Sequence, residues 1–184
     1  MKLVFDIETD DLDAKKIWCI VAKDVVTEQL YTYGPDQIEE GCELLCSADE
    51  LIGHNIIGFD LPVLRDLTRF KTLGVGQKIV DTLVLSRLFD PVREAGHGLK
   101  AWGYKLGSSK IEFDSFDGGF SSEMLDYCIQ DVNLNLKVYH ALREESRGFS
   151  KESLEIEHAI ADILKEQERH GFLYDDMAAE LLLA

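Results

Sequence analysis

The octapeptide Lys2–Thr9, KLVFDIET, has a period of two: Leu3, Phe5 and Ile7 fall on one face, and Val4, Asp6 and Glu8 on the other. That is the repeat of a β-strand and not of a helix. Two more runs of strand character follow, IWCIVAKDV from Ile17 and EQLYTYG from Glu28, joined by connections too short for a crossover helix. Short links of that kind favour an antiparallel meander. A purely parallel, doubly wound sheet requires a helix between successive strands, which makes it the weaker alternative.

Beyond the meander, helices and strands alternate. Pro35 and Asp36 open a helical stretch over DQIEEGCELLCSA, and ELIGHNI from Glu50 reads as a short buried strand. DLPVLRDLTRF, Asp60 to Phe70, predicts a helix that tolerates Pro62 in its first turn. KIVDT from Lys78 is a strand running into a helix, LVLSRLF, that stops near Pro91. HGLKAWGYKLG contains a short helix closed by Gly107, and Ser108 to Gly119 are a polar surface loop. Ser121 or Ser122 starts a long helix with a core stripe of Leu125, Ile129, Val132, Leu136 and Tyr139. Ser150 or Ser153 starts a last helix that runs to about Gly171. The pattern specifies an α/β fold of RNase H-like type: a mixed five-stranded sheet flanked by helices, with the first strand central.

The 184 residues include 35 Asp or Glu and 19 Lys or Arg, a formal charge of −16. With 46% hydrophobic and 29% charged residues, the composition is that of a globular chain and excludes a disordered one. The length suits one medium domain with a short appendage. No apolar run approaches the roughly 18 residues of a membrane span, and there is no basic-then-apolar leader, so a cytoplasmic protein with no membrane partner is expected. The negative charge argues against broad adhesion to nucleic acid or anionic lipid. It is compatible with a nucleic-acid enzyme whose acids hold a divalent cation, because the bound metal reverses the local field. Cys19, Cys42, Cys46 and Cys128 form no CxxC pair, and free thiols are expected.

Three carboxylate-bearing stretches stand out. Asp6 and Glu8 lie two apart at the end of a strand, on one face, where like charges repel unless a cation joins them. A solvated strand end running into Asp10, Asp11 and Asp13 fits the same spacing. Asp60 follows HNIIGF, in which the polar pair His54-Asn55 interrupts an apolar run; the N-cap of the following helix is the simpler role for Asp60. Tyr127 and Asp131, four apart, share a helix face beside the core stripe. An oxygen-rich set without Cys or obligatory His favours Mg²⁺ or Mn²⁺ over zinc.

DIETD, HNIIGFD and YCIQD, in this order, resemble the three motifs of the DEDD 3′→5′ exonucleases, and the Y-x-x-x-D form resembles the tyrosine subclass. DTLVLSRLF, HGLKAWGYKLG, EMLDYCIQDV and KEQERHGF narrow the resemblance to the proofreading domain of family A DNA polymerases of short-tailed bacteriophages, from about Lys2 to Asp175. The resemblance implies an exonuclease domain over 1–149 and, over 150–184, a helical segment like the junction to a polymerase domain, with the polymerase itself absent. It implies hydrolysis of DNA from a single-stranded or frayed 3′ end to nucleoside 5′-monophosphates, by two Mg²⁺ or Mn²⁺ ions about 4 Å apart. Asp6 then bridges both ions, Glu8 and Asp131 hold the ion that carries the attacking water, and Asp60 anchors the second. Tyr127 aims the water; a phenol of ordinary pKa near ~10 is not an anionic base at neutral pH. Thr9, Leu12, Asn55, Phe59 and Leu61 are the expected substrate contacts, with the apolar ones stacking on bases or belonging to the core. His54 and Asn55 also stand ready to order Asp60. A DNA polymerase domain, in cis or in trans, is the expected partner, and the host cytoplasm the location if the chain is phage-encoded. An RNA-trimming exonuclease and a non-catalytic docking module for a polymerase or replication partner are the alternatives.

Overall fold

The computed structural model describes residues 1–108 and 119–183. Five strands, β1 Lys2–Thr9, β2 Ile17–Asp24, β3 Leu30–Tyr33, β4 Glu50–Gly53 and β5 Lys78–Asp81, form one sheet in the order β3-β2-β1-β4-β5. β1 pairs antiparallel with β2 and parallel with β4, β2–β3 is antiparallel, and β4–β5 is parallel. The sheet is therefore mixed, with β1 central, as the meander followed by helix–strand alternation predicts. The helices are α1 Ile38–Cys46, which follows a short 3₁₀ turn at Pro35–Gln37, α2 Asp60–Leu67, α3 Thr82–Phe89, α4 Leu99–Lys105, α5 Ser122–Glu145, α6 Lys151–His170 and α7 Asp176–Leu183.

The alternation in β1 divides the core in two. Leu3, Phe5 and Ile7 pack with Cys42, Leu45, Leu61 and Leu64 of α1 and α2. Val4, on the other face, packs with Cys19, Val21, Trp102, Cys128, Val132 and Val138 beneath α4 and α5. Asp6 and Glu8 share the face of Val4, so both acids point toward α5. At the opposite end of the sheet the buried Glu50 receives Lys2 at 3.0 Å and Lys78 at 3.2 Å. Burial raises the Glu50 carboxyl, but hydrogen bonds from both lysines outweigh it and hold the group below its ordinary value. β1 is thus anchored by a satisfied ion cluster at one end and carries the candidate acids at the other.

Several elements differ from their sequence-based bounds. α2 stops at Leu67, short of Phe70, because Thr68 is extended and its hydroxyl donates to the Leu64 carbonyl at 2.6 Å. Most of the expected loop from Ser108 to Gly119 lies outside the described residues. The buried face of α5 keeps Val132, Leu136 and Tyr139 of the expected stripe and is wider than it: Met124, Cys128, Asp131, Asn135, Val138 and Leu142 are buried too, whereas Leu125 and Ile129 are only half-buried. Asp131 therefore lies within the buried face and not beside it. α5 is covered by the sheet and by α3 and α4, so its buried face is wider than the apolar stripe and takes in Asp131 and Asn135. The short helix α7 is not anticipated by the sequence pattern; the Asp175 carboxylate accepts the Ala178 N–H at its start.

Ser121 and Ser150 are the N-caps of α5 and α6, accepting the N–H groups of Met124 and Ser153. α6 is tied to the sheet: the Asp81 N–H donates to His158 Nε2 at 2.9 Å, while His158 Nδ1 donates to the Leu154 carbonyl at 2.7 Å. Its other face leaves Ile156, Ile160 and Ile163 exposed. All four cysteines are free, and among the described residues no helix is long and apolar enough to cross a membrane.

Candidate metal centre

The centre forms where β1 leaves its partners. Parallel pairing of β1 with β4 ends at Val4, and the register with β2 shifts between Glu8 and Thr9, so that Trp18 is an extra residue on β2. A bulge at this point bends the strand end away from regular pairing. Asp6 is half-buried and Glu8 is buried. One ligand atom each from Asp6, Glu8 and Cys128 lies within 4.8 Å of the others.

Asp60 reaches this strand end by a route other than the expected one. It is the first residue of α2 and not its cap; Phe59 is the N-cap and makes no side-chain capping bond. Asp60 Oδ1 instead accepts the N–H of Ile7 at 3.2 Å, a backbone group that β4 no longer serves. The carboxylate thus sits against the residue between Asp6 and Glu8. Burial pushes its pKa up to about 7, and the charge of Asp81 adds to the shift.

α5 carries the other two expected site residues. Asp131 is buried, three residues after Cys128 on the inward face, and Tyr127 is half-buried. Cys128, by sequence an ordinary packed thiol, belongs to the centre as well. Its Sγ lies 3.8 Å from Asp6 Oδ2, and burial, with Cys19 and the negative charge of Asp6 alongside, raises its pKa well above the ordinary thiol value. With no metal bound, the thiol is an S–H donor to Asp6. The signal for it is the i, i+3 spacing of Cys128 and Asp131 in YCIQD, which places both on one face. Among the described residues the cluster that could hold a metal ion is Asp6, Glu8 and Cys128; Asp60 touches the same strand end through the Ile7 N–H, and Asp131 is buried on the facing helix. Carboxylate oxygens are hard donors of the kind that suit Mg²⁺ or Mn²⁺.

The expected substrate contacts divide. Thr9 is buried and its hydroxyl donates to the Asp11 carbonyl at 2.8 Å. Leu12 is 85% exposed, in a turn held by Asp10, whose carboxylate accepts the Lys15 and Lys16 N–H groups. Phe59 is half-buried and, with Leu12, Pro62, Lys165 and Arg169, lines a groove of about 410 Å³ between this turn, α2 and α6. Asn55 is exposed, with a left-handed φ of 67°. Leu61 is 2% exposed in the core behind α2, so it has no surface to offer a base.

The loop between β4 and α2 leaves no spare room. A Cβ on Gly53 would stand 2.0 Å from Ile56 Cγ2 and 3.1 Å from the Phe5 carbonyl oxygen. Gly53→Ala is expected to destabilise the fold by about 1–3 kcal/mol in urea denaturation and to displace the loop that delivers Asp60.

No family model matches this sequence. The DNA-directed DNA polymerases of Escherichia phage T7 and Enterobacteria phage T3 are each 29% identical to it, in alignments covering 98% of this chain and 34% of each polymerase. The chain thus spans about a third of the length of these curated relatives. Among solved structures, a protein described as the apo form of the nuclease superposes with a TM-score of 0.67 at 20% identity, covering 95% of this chain and 87% of that one. Brucella melitensis NrnC superposes with a TM-score of 0.66 at 18% identity, covering 95% and 88%; it has also been solved with bound Mg²⁺ and bound to pGG. By sequence the chain is similar to about a third of the T7 and T3 phage DNA polymerases, and its architecture is the RNase H-like α/β fold.

Proposed function

We propose that the chain is a metal-dependent 3′→5′ exonuclease that hydrolyses DNA to nucleoside 5′-monophosphates, serving proofreading in phage DNA replication. The observation that carries this reading is the hydrogen bond from the Ile7 N–H to Asp60, which brings a third acid against the strand end that bears Asp6 and Glu8. Asp6, Glu8, Asp60 and Asp131 would hold two Mg²⁺ or Mn²⁺ ions. When bound, the ions supply Lewis acidity and lower the pKa of water.

The chain's own groups set the geometry of the reaction. The Tyr127 hydroxyl orients the attacking water by hydrogen bonding. Cys128 donates to Asp6 and steadies a carboxylate that would hold the metal. Leu12 and Phe59 offer apolar surface for the last bases, and Thr9 and Asn55 lie close by for the terminal nucleotide. Cationic side chains are few against an excess of acids, so strand binding by this chain alone is weak and salt-sensitive.

Residues 1–149 form the exonuclease in this reading, and 150–184 a junction. The exposed Ile156, Ile160 and Ile163 stripe, with Leu164 beside it, suits a DNA polymerase domain joined in cis or bound in trans.

Matched single-stranded DNA and RNA oligonucleotides, incubated with protein and Mn²⁺ with and without EDTA, test the substrate. NrnC bound to pGG shares the fold, so dinucleotides belong in the series. The expected result is faster release of mononucleotides from DNA, abolished by EDTA. Preferential cleavage of RNA would make the protein an RNA-trimming enzyme. Partner binding without any metal-dependent cleavage would make it a docking module.

A further inference from the structure

The loop of residues 54–59 carries Asp60 to β1 without regular structure to fix its own shape. The buried carboxylate of Asp81, at the end of β5, fixes it. Oδ1 accepts the Asn55 N–H at 2.9 Å and Oδ2 the Ile57 N–H at 3.1 Å, pinning the turn in which Asn55 takes its left-handed conformation. Asp81 also caps α3, accepting the N–H groups of Leu83 and Val84. Capping alone needs neither bond to the loop.

Thr82 continues the link. Its hydroxyl, wholly buried, stands 3.1 Å from the Gly53 carbonyl, 2.8 Å from Asn135 Oδ1 and 2.9 Å from His54 Nδ1. Asn135 lies one turn after Asp131 on the buried face of α5. The dipeptide Asp81-Thr82 therefore ties the loop bearing Asp60 to the turn that follows Asp131. These acids come from different elements, and no backbone ladder joins α2 to α5.

We infer that Asp81 and Thr82 are positioning residues that set the spacing of Asp60 and Asp131, and thereby the affinity of the centre for its divalent cations. The inference rests on the reading that these acids hold metal. Groups that orient metal ligands typically contribute 10–100-fold in affinity, and Thr82 reaches both sides of the centre at once.

Thr82→Val removes the hydroxyl at nearly constant volume, and Thr82→Ser keeps it. Asp81→Ser keeps a cap for α3 but is too short to reach the loop amides. Mn²⁺ binding to the full chain is measured by titration calorimetry, with thermal melts as a folding control. Thr82→Val and Asp81→Ser are expected to bind Mn²⁺ about 10–100-fold more weakly, with Thr82→Ser within about threefold of wild type. The Mn²⁺ concentration for half-maximal cleavage should rise in parallel, while KM for the oligonucleotide stays within about twofold. Unchanged Mn²⁺ affinity in Thr82→Val and Asp81→Ser would overturn the inference and leave the nuclease reading intact. Weak binding that Thr82→Ser fails to restore would overturn it too, by tracing the effect to packing. A wild-type chain that binds no Mn²⁺ would bring down the nuclease reading, and the inference with it.

Discussion

Asp6→Ala is expected to lower mononucleotide release at least about a thousand-fold, or roughly 4 kcal/mol of transition-state stabilisation, while the protein stays folded. Asp6 lies on the central strand, faces α5, and shares its immediate surroundings with Glu8 and the Cys128 thiol. The stability consequence runs the other way. Asp6 is half-buried beside Glu8, so the truncation relieves like-charge repulsion and leaves no large cavity. The metal-free melting temperature should hold or rise slightly. A rate within tenfold of wild type, measured at saturating Mn²⁺, would show that the strand acids are not the centre of the chemistry.

Asp60→Asn should have opposite effects on activity and stability, and pH separates them. The Asp60 carboxyl titrates near 4 in an unfolded chain and at about 7 in the folded protein, chiefly because it is buried, with Asp81's charge adding. Below pH ~4 it is protonated in both states and costs nothing. Between these values the folded state retains a proton that the unfolded state has lost, so stability falls as pH rises. Above pH 7 the full cost of the buried charge is present. Asparagine keeps an oxygen for the Ile7 N–H and carries no charge. Metal-free Asp60→Asn should match wild type at pH 4 and exceed it by on the order of 4 kcal/mol at pH 8. Mn²⁺ should stabilise wild type at pH 8 and scarcely affect the variant, whose cleavage should be lost. The comparison has to be differential, because Glu50 and Glu145, each held below its ordinary value by two cations, contribute stability of the opposite pH sign. Urea melts of both proteins at pH 4 and pH 8 give the numbers. A variant less stable than wild type at pH 8 would contradict a charged, buried Asp60.

The fold was legible because its strongest signals are local. The period of two in KLVFDIET assigns Leu3, Phe5 and Ile7 to one core and Val4, Asp6 and Glu8 to the other face, and the short links after β1 and β2 leave little choice but a meander. Those signals act within a few residues of themselves. The stripe of α5 shows where they stop. Val132, Leu136 and Tyr139 are buried as the apolar spacing expects, but Leu125 and Ile129 are only half-buried and Cys128, Asp131 and Asn135 are buried as well, because the elements packed around α5 widen the face that its apolar spacing alone marks. Asp60 shows a second limit. Its local sequence reads as a cap, but the partner it takes is the Ile7 N–H, 53 residues away. Leu61 is a third: apolar and next to a candidate ligand, it serves the core. Asp81 carried a legible local signal, an acid between a strand and a helix, which identifies the cap; its bonds to Asn55 and Ile57 became visible only with the loop folded over it.

The order and end specificity of cleavage test the central claim most directly. A single-stranded DNA oligonucleotide labelled at its 5′ end, incubated with the full chain and Mn²⁺, should yield a ladder of products shortened one nucleotide at a time, each keeping the label, with nucleoside 5′-monophosphates released and EDTA stopping the reaction. Immediate release of the label as a mononucleotide, or the same ladder from Asp6→Ala, would contradict a metal-dependent 3′→5′ exonuclease built on the acids of β1.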